Sequence, residues 1–397
     1  MSRVLFHSLT IPPDQVSTGI LVADIAAKFH NKGTSIEVLA STPQYRFDSK
    51  EFSAEEMTKV KRNIYTSNYK GVKITHLYAS KRSFNRITRL FQWISYHIKS
   101  ITYLTKNRKN FDSIYIFSYP PTMNLIAIYS KKILKKKTVY SVWELYPEIA
   151  SKLNELNSSL LLNLFKRIDN FCLRVIDNVV VNSEELKDYL VSKRNIEENK
   201  VNVIYHFSNE PEIPKPSIMN KEIMYAGNLG TPQNLESFIN IFSESTNKFN
   251  LTIYGSGTQY ERISNMNSNN INMNSNNINV NSFVDRKKLV ELTKDIPYAL
   301  VSLSPKLTVE GFPGKTFDYL KMNKILIGYS NPESGLAKFI EKYELGVNIS
   351  PNVDNIDEKF EQLQDKLFID RVYKNITKVN NQLADINIIA DRYLGLI

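Results

Sequence analysis

Two doubly wound, Rossmann-like α/β domains facing one another across a cleft are what this sequence predicts, on three observations. Short apolar runs alternate with helical patterns through residues 1–205, three prolines punctuate a weakly patterned stretch at 206–221, and a second alternation begins at 222. Such alternation is the mark of a parallel sheet wrapped by helices. The length of 397 residues agrees, because a single hydrophobic core stops growing well before that size.

In chain order, Val4–Ser8, Ser35–Ala40, Val72–Leu77, Ser113–Phe117, Thr138–Val142, Asn178–Val181 and Val201–Tyr205 read as strands. A helix follows the first strand from about Thr18 to Asn31, with Gly33 as its stop signal. Asn182-Ser183-Glu184-Glu185 has the spacing of an N-cap, Asn182, with Glu185 at N3, opening a helix through Val191. Pro211, Pro214 and Pro216 mark 206–221 as an interdomain linker. Beyond it, strands are expected at Glu222–Ala226, Leu251–Tyr254, near Val280–Val284, Tyr298–Leu303 and Ile325–Gly328. Helices are expected at 232–247, 257–264, 286–294 and 315–322. Residues 265–271 recur identically at 272–278, an Asn- and Ser-rich tandem copy of the kind a surface loop tolerates. Doubly wound sheets bind ligands outside the carboxyl ends of their strands.

A hydrophobic content of 42% with 23% charged residues is that of a soluble globular protein. No apolar run approaches a membrane span, and the first ten residues do not resemble a signal peptide, so a cytoplasmic protein is expected. Cys172 is the only cysteine, which excludes an internal disulfide and a thiolate metal site. The net charge of +11 is concentrated: Lys81–Tyr140 holds thirteen Lys or Arg against one acid, Asp112, a local +12. Within it Phe84, Ile87, Leu90, Phe91, Ile94 and Ile98 recur at helical spacing, with Arg82, Arg86 and Arg89 between them and Trp93, Tyr96 and Tyr103 alongside. A basic helix over 83–104 with an aliphatic and aromatic face has the form of an interfacial membrane anchor on an anionic surface. The plainer alternative is a core helix with a solvated basic face; nucleic acid is the less favoured partner.

Residues 309–320 carry the sharpest chemical signal. After the apolar run Tyr298–Leu303 come a Gly-Pro turn, the cation Lys315 and, three residues later, Asp318, at the mouth of an expected helix. Backbone N–H groups and a lysine so placed suit phosphates, and Asp318 suits ribose hydroxyls. The plainer alternative is an ordinary i,i+3 ion pair. None of the sixteen aspartates lies two positions from another, and one Cys with five scattered His gives a metal site little support. No metal or cofactor is therefore expected.

Several segments fall into one known order. They are Ile11-Pro12-Pro13-Asp14 through Ser17-Thr18-Gly19, Phe117-Ser118-Tyr119-Pro120-Pro121-Thr122 and Trp143-Glu144-Leu145-Tyr146-Pro147-Glu148 in the first half. In the second half they are Tyr225-Ala226-Gly227-Asn228-Leu229-Gly230, Tyr254-Gly255-Ser256-Gly257 and Pro313-Gly314-Lys315-Thr316-Phe317-Asp318-Tyr319-Leu320, with Glu310 eight residues before Asp318. Ser334-Gly335-Leu336 and Leu345-Gly346-Val347 follow. Together they resemble the GT-B fold glycosyltransferases of family 4, most of all the bacterial transferases that build O-antigen or capsule repeats, over nearly the full length. Departures are Thr18 in a usual glycine slot, Glu144 for Asp, Tyr146 for Trp, Gln233-Asn234 for Lys-Gly, and Asp318 for Glu.

The resemblance implies a retaining, metal-independent transfer from a nucleotide-sugar, with UDP the favoured nucleotide, to a polyprenyl-diphosphate-linked saccharide at the inner membrane face. It implies an acceptor-side domain at 1–205, the linker 206–221, a donor-side domain at 222–380 and a last helix, 381–397, crossing back to the first domain. Donor contacts would be Gly227, Asn228, Gly230, Gly314, Lys315, Asp318, Thr18 and Gly19. Lys315, Glu310 and Glu144 would serve the chemistry, and Arg82, Arg86, Arg89 and Trp93 the acceptor and membrane side. Glu148, at a helix start after Pro147, and His7 are further candidates, whereas His206 suits a structural role. Two other readings are a nucleotide-sugar 2-epimerase of related architecture and a non-catalytic, membrane-attached component of a polysaccharide assembly complex. The latter would need neither Lys315 nor Asp318.

Overall fold

A computed structural model of the chain describes residues 3–14, 16–44, 57–83, 85–246, 248–269, 277–351 and 355–397. Phe84 and most of the second repeat copy lie outside them. The chain divides into two compact units, Met1–Pro147 with Asn157–Tyr205 and Ile386–Ile397, and Glu148–Leu156 with His206–Asp385.

The first unit is built on a nine-stranded sheet of β1 (Arg3–His7), β2 (Ser35–Ser41), β3 (Thr58–Lys61), β4 (Ile64–Tyr69), β5 (Val72–Leu77), β6 (Ser113–Phe117), β7 (Lys137–Val142), β8 (Asn178–Val181) and β9 (Val201–Val203). Their spatial order is β3-β4-β5-β2-β1-β6-β7-β8-β9. The central strands are parallel and their residues almost wholly buried, which is why they read as unbroken apolar runs. Phe6 on β1 meets Phe29 edge-on at 5.2 Å and Tyr115 at 4.9 Å, an aromatic core beneath α1 (Ser17–Asn31).

The strands β3 and β4 had no counterpart among the expected elements. They form an antiparallel hairpin on the sheet edge, and β4 turns back into β5 through Lys70 and Gly71, both at positive φ. Their side chains are exposed or half-buried, so no apolar run announces them. The expected basic helix 83–104 is α2 (Arg86–Lys106), after which come α3 (Met123–Lys132), α4 (Glu148–Lys152), α5 (Ser159–Val175) and α6 (Glu184–Arg194). Asn85 caps α2, its side chain accepting the N–H groups of Ile87 at 2.9 Å and Thr88 at 3.1 Å, so Arg82 precedes the helix. For α6 the cap is Ser183 rather than Asn182; Ser183 Oγ accepts the Leu186 N–H at 3.1 Å, while Asn182 Nδ2 donates to the Trp143 carbonyl.

The second unit has six parallel strands, β10 (Glu222–Asn228), β11 (Asn250–Ser256), β12 (Ile278–Ser282), β13 (Tyr298–Ser302), β14 (Ile325–Tyr329) and β15 (Gly346–Ile349). Their order is β12-β11-β10-β13-β14-β15. They are wrapped by α7 (Leu235–Glu244), α8 (Tyr260–Asn269), α9 (Arg286–Thr293), α10 (Lys315–Lys321), α11 (Gly335–Lys342), α12 (Ile356–Gln362) and α13 (Lys366–Gln382). Two boundaries differ from the sequence expectation. The α4 segment 148–156 belongs to this unit, tied by Lys152 to Glu310 at 2.7 Å and to Thr308 Oγ1 at 2.9 Å. At the other end α13 runs through Gln382, with Asn380 donating to the Leu320 carbonyl, so α14 (Ile386–Leu394) rather than residue 381 begins the segment grouped with the first unit.

Gly346 explains the Leu345-Gly346-Val347 landmark. Its φ is +145°, and a Cβ there would stand 1.9 Å from the Leu326 carbonyl oxygen. Replacing Gly346 by Ala is expected to destabilise the second unit by about 1–3 kcal/mol, read as a lowered denaturation midpoint. An unchanged midpoint would remove this explanation.

Candidate functional site

The site in the second unit begins where β10 ends. β10 pairs with β13 only at Ile223 and Met224, so the two strands part before the Gly-Asn-x-Gly turn. The Tyr319 hydroxyl fills that gap, accepting the Ala226 N–H at 2.8 Å and donating to the Ala226 carbonyl at 3.2 Å. This clasp fastens α10 to the end of β10. On the other side Gly227 lies opposite Gly255 of β11, and Gly257, at φ +153°, leaves no room for a Cβ beside the Leu229 carbonyl. The two glycine turns therefore stack at the carboxyl ends of neighbouring strands.

Lys315, the first residue of α10, reaches into this corner. Its Nζ lies 3.9 Å from the centroid of the Tyr225 ring, and a Cβ at residue 227 would come within 2.8 Å of it. The ammonium is enclosed and, among the described residues, has no hydrogen-bond partner. Burial lowers its pKa to about 7, with Asp318 pulling the other way. Lys315 and the Gly227 turn are thus brought together, around a buried cation with no acceptor. Asn228 donates to Gln233 Oε1 at 3.1 Å, so the Gln that stands in a usual lysine place braces the turn.

Asp318 stands one turn along α10. Its Oδ1 accepts the Ser208 hydroxyl at 2.6 Å and Arg286 Nη2 at 3.3 Å, and Arg286 Nε in turn contacts Glu210. With 31% of the side chain still accessible, burial nevertheless pushes the carboxyl up to about 6, opposed by Arg286 and the Ser208 hydrogen bond. Ser208, Glu210, Arg286 and Lys152 carried no signal in the sequence, because the partners they meet lie 32 to 158 positions away in the chain.

Glu310 differs from the expected chemical role. It is buried, with Oε1 on Lys152 and Oε2 accepting the N–H groups of Thr308 at 2.8 Å and Val309 at 3.2 Å. Oε2 braces the loop that carries Glu310, and Oε1 ties that loop to α4. Gly314 caps α10 beside His206, which is buried, held neutral with a pKa of about 4, and edge-on to Phe317.

In the first unit, Thr18 and Gly19 lie in the first turn of α1, where Gly19 sits so close to Thr10 and Ile11 that a Cβ would meet backbone at 2.9 Å. Glu144 is exposed just after β7, and Glu148 opens α4. His7 does not fit an acceptor-facing base: it is wholly buried, and burial lowers its pKa to about 3. On α2, which Arg86 begins, the Arg89 guanidinium lies 5.6 Å from the Trp93 ring.

Family models match the chain in two consecutive pieces, Glycosyltransferase Family 4 over residues 18–209 and Glycosyl transferases group 1 over 207–378. The chain is a GT-B fold glycosyltransferase related to family 4. Similar solved structures include HepE of Anabaena in complex with UDP, at 12% identity and a TM-score of 0.70, covering 99% of this chain and 98% of that one. The sucrose-phosphate synthase of Thermosynechococcus elongatus has 13% identity and a TM-score of 0.73, covering 100% and 98%. The lipopolysaccharide outer core galactosyltransferase WaaB, in its apo form, has 13% identity and a TM-score of 0.65, covering 100% and 99%. A comparison with curated protein sequences gave no match.

In this glycosyltransferase the buried Lys315 should oppose folding. Between about pH 7 and 10.5 the unfolded chain binds a proton that the folded lysine releases, so this residue makes stability rise with pH across that window. Lys315→Met is expected to raise stability at pH 7 by roughly 1–2 kcal/mol and to flatten that rise. A lowered midpoint at pH 7 would contradict it.

Proposed function

We propose that this glycosyltransferase moves a sugar from a UDP-activated donor, with retention of configuration and without a metal ion, to a polyprenyl-diphosphate-linked saccharide at an anionic membrane surface. The observation that carries the reading is the enclosed, acceptor-less ammonium of Lys315 beside the Gly227 turn. An anionic phosphate oxygen is the partner such a cation lacks, and closely approached glycine backbone admits a phosphate. As the glycosidic bond breaks, negative charge grows on the departing diphosphate; Lys315 stabilises it there, while Gly227, Asn228 and Gly230 shape the turn. Asp318, one turn away, accepts hydrogen bonds from the ribose. That HepE binds UDP supports the choice of nucleotide. Gly314, Thr18, Gly19 and exposed Glu144 complete the proposed donor and acceptor contacts. Glu310 serves by holding the donor loop in shape.

The membrane side of the reading is supported by the outer face of the first unit. On α2, Ile87 is 69% and Phe91 66% exposed, and Leu90, Ile94 and Ile98 are exposed with them. On α5, which packs on α3 as α3 packs on α2, Leu160 is 77% exposed and Leu161, Leu164, Phe165 and Phe171 follow. Lys132 lies 6.0 Å from the Phe171 ring, and Arg89 beside Trp93, so cations flank the apolar side chains. An apolar surface of this extent with a basic border fits anionic lipid. No helix among the described residues is long and apolar enough to cross a membrane.

Lys315→Ala is expected to lower turnover with a UDP-sugar donor about 100-fold, as loss of a charge-stabilising donor would. Near wild-type transfer by that variant, with donor bound normally, would overturn the phosphate role. Sedimentation with phosphatidylglycerol-containing vesicles should show binding that weakens with salt and is lost in Phe91→Glu. Equal sedimentation with purely zwitterionic vesicles would remove the anionic surface from the reading.

A further inference from the structure

One set of polar groups in the second unit closes into a ring around Asp318. Ser208 Oγ accepts the Glu210 N–H at 3.0 Å and donates to Asp318 Oδ1 at 2.6 Å. A hydroxyl has one proton, so the first bond directs that proton at the carboxylate. Arg286, the first residue of α9, brings Nη2 to 3.3 Å from the same oxygen and Nε to Glu210 Oε1. The Glu210 side chain is only 8% exposed, which holds the guanidinium between two acids. Among the described residues both ties fall on Oδ1 and none reaches Oδ2.

We propose that Ser208 and Arg286 are positioning residues for Asp318, anchoring Oδ1 so that Oδ2 is presented to the ribose hydroxyls of the nucleotide. The proposal rests on the reading of Asp318 as the ribose acceptor. Three physical points support it. An aspartate reaches less far than a glutamate, so a contact made by the shorter side chain depends more on its orientation. A carboxylate left to rotate would lose side-chain entropy on binding, whereas one already held loses little. The planar guanidinium satisfies Glu210 and Asp318 at once, which an ammonium at that position does less well. The charged and titratable groups facing Asp318 are Arg286, Glu210, Lys315 and Tyr319. Of these, Arg286 opposes the effect of burial on the carboxyl and so helps keep it ionised.

Calorimetric titration with UDP and with 2′,3′-dideoxy-UDP tests the proposal. The wild-type enzyme is expected to bind the dideoxy compound about tenfold more weakly, the loss of a hydrogen bond to a charged group. Ser208→Ala and Arg286→Ala should bind the two alike, near the dideoxy level, with the hydroxyl-retaining Ser208→Thr restoring discrimination. In Arg286→Ala the fall of UDP affinity toward acid, centred near pH 6 in the wild type, should also move to higher pH. If the wild-type enzyme does not discriminate, the ribose reading itself fails. If it does, and both alanine variants discriminate as well as it does, the ribose reading stands and the positioning role falls.

Discussion

The arrangement of the second unit turns on keeping one ammonium buried without an acceptor. A lone cation removed from water is unfavourable, and its surroundings lower the pKa of Lys315 rather than pair it. What holds it there is the attachment of α10 to β10. The Tyr319 hydroxyl takes both backbone groups of Ala226 just where β13 stops pairing with β10, so the helix start cannot drift from the strand end. The Tyr225 ring offers its π-face to the cation, a weaker partner than an anion. A site that leaves its cation in this state favours an incoming negative charge more than a lysine already paired would.

The acid next to it is handled in the opposite way. Asp318 is given two partners, and the arginine among them is itself held by a buried glutamate. Charges alternate from Glu210 through Arg286 and Asp318 to Lys315, so each is buffered by its neighbour while the cation at the end of the series lacks a hydrogen bond. Glu310 shows a third treatment. Its carboxylate is fully spent on Lys152 and on two N–H groups of its own loop, which makes it a brace for the segment that delivers Lys315. Three acids and three cations within one stretch of structure thus have different duties, set by which oxygen or nitrogen is left without a partner.

The central parallel strands were legible in the sequence because burial on both faces leaves apolar runs; β6 and β8 begin and end where those runs do. The edge hairpin was not, since a half-buried antiparallel strand such as β4 mixes Tyr, Thr, Ser and Asn as a loop does. Capping could be read to within one residue: Asn182 and Ser183 are both good caps, and only the backbone conformation selects Ser183. At the candidate site, Lys315, Asp318 and the glycine turn could be singled out beforehand because each is a local pattern. Ser208, Arg286 and Lys152 could not. Their significance lies wholly in contacts between elements far apart in the chain, and a serine in a proline-rich linker or an arginine opening a helix looks ordinary beforehand.

The helical layer on the first unit poses a different problem of legibility. The apolar positions of α2 suggest a face, but periodicity alone does not say whether that face turns toward the sheet or away. Here the inward contacts of α2 are made by Tyr96, His97, Ser100 and Leu104, while Ile87, Phe91, Ile94 and Ile98 look outward. The same division recurs on α5, where Cys172 and Leu173 are buried and Leu160, Leu164 and Phe171 are not. A helix that were merely part of the core would have no reason to be apolar on its second face, since exposed leucines and phenylalanines bring no folding stability and invite association. Two helices that each pack on α3 share this property, and the first of them lies in the stretch that carries the chain's excess of positive charge, so the apolar outer face is a feature of the helical layer that core packing does not explain.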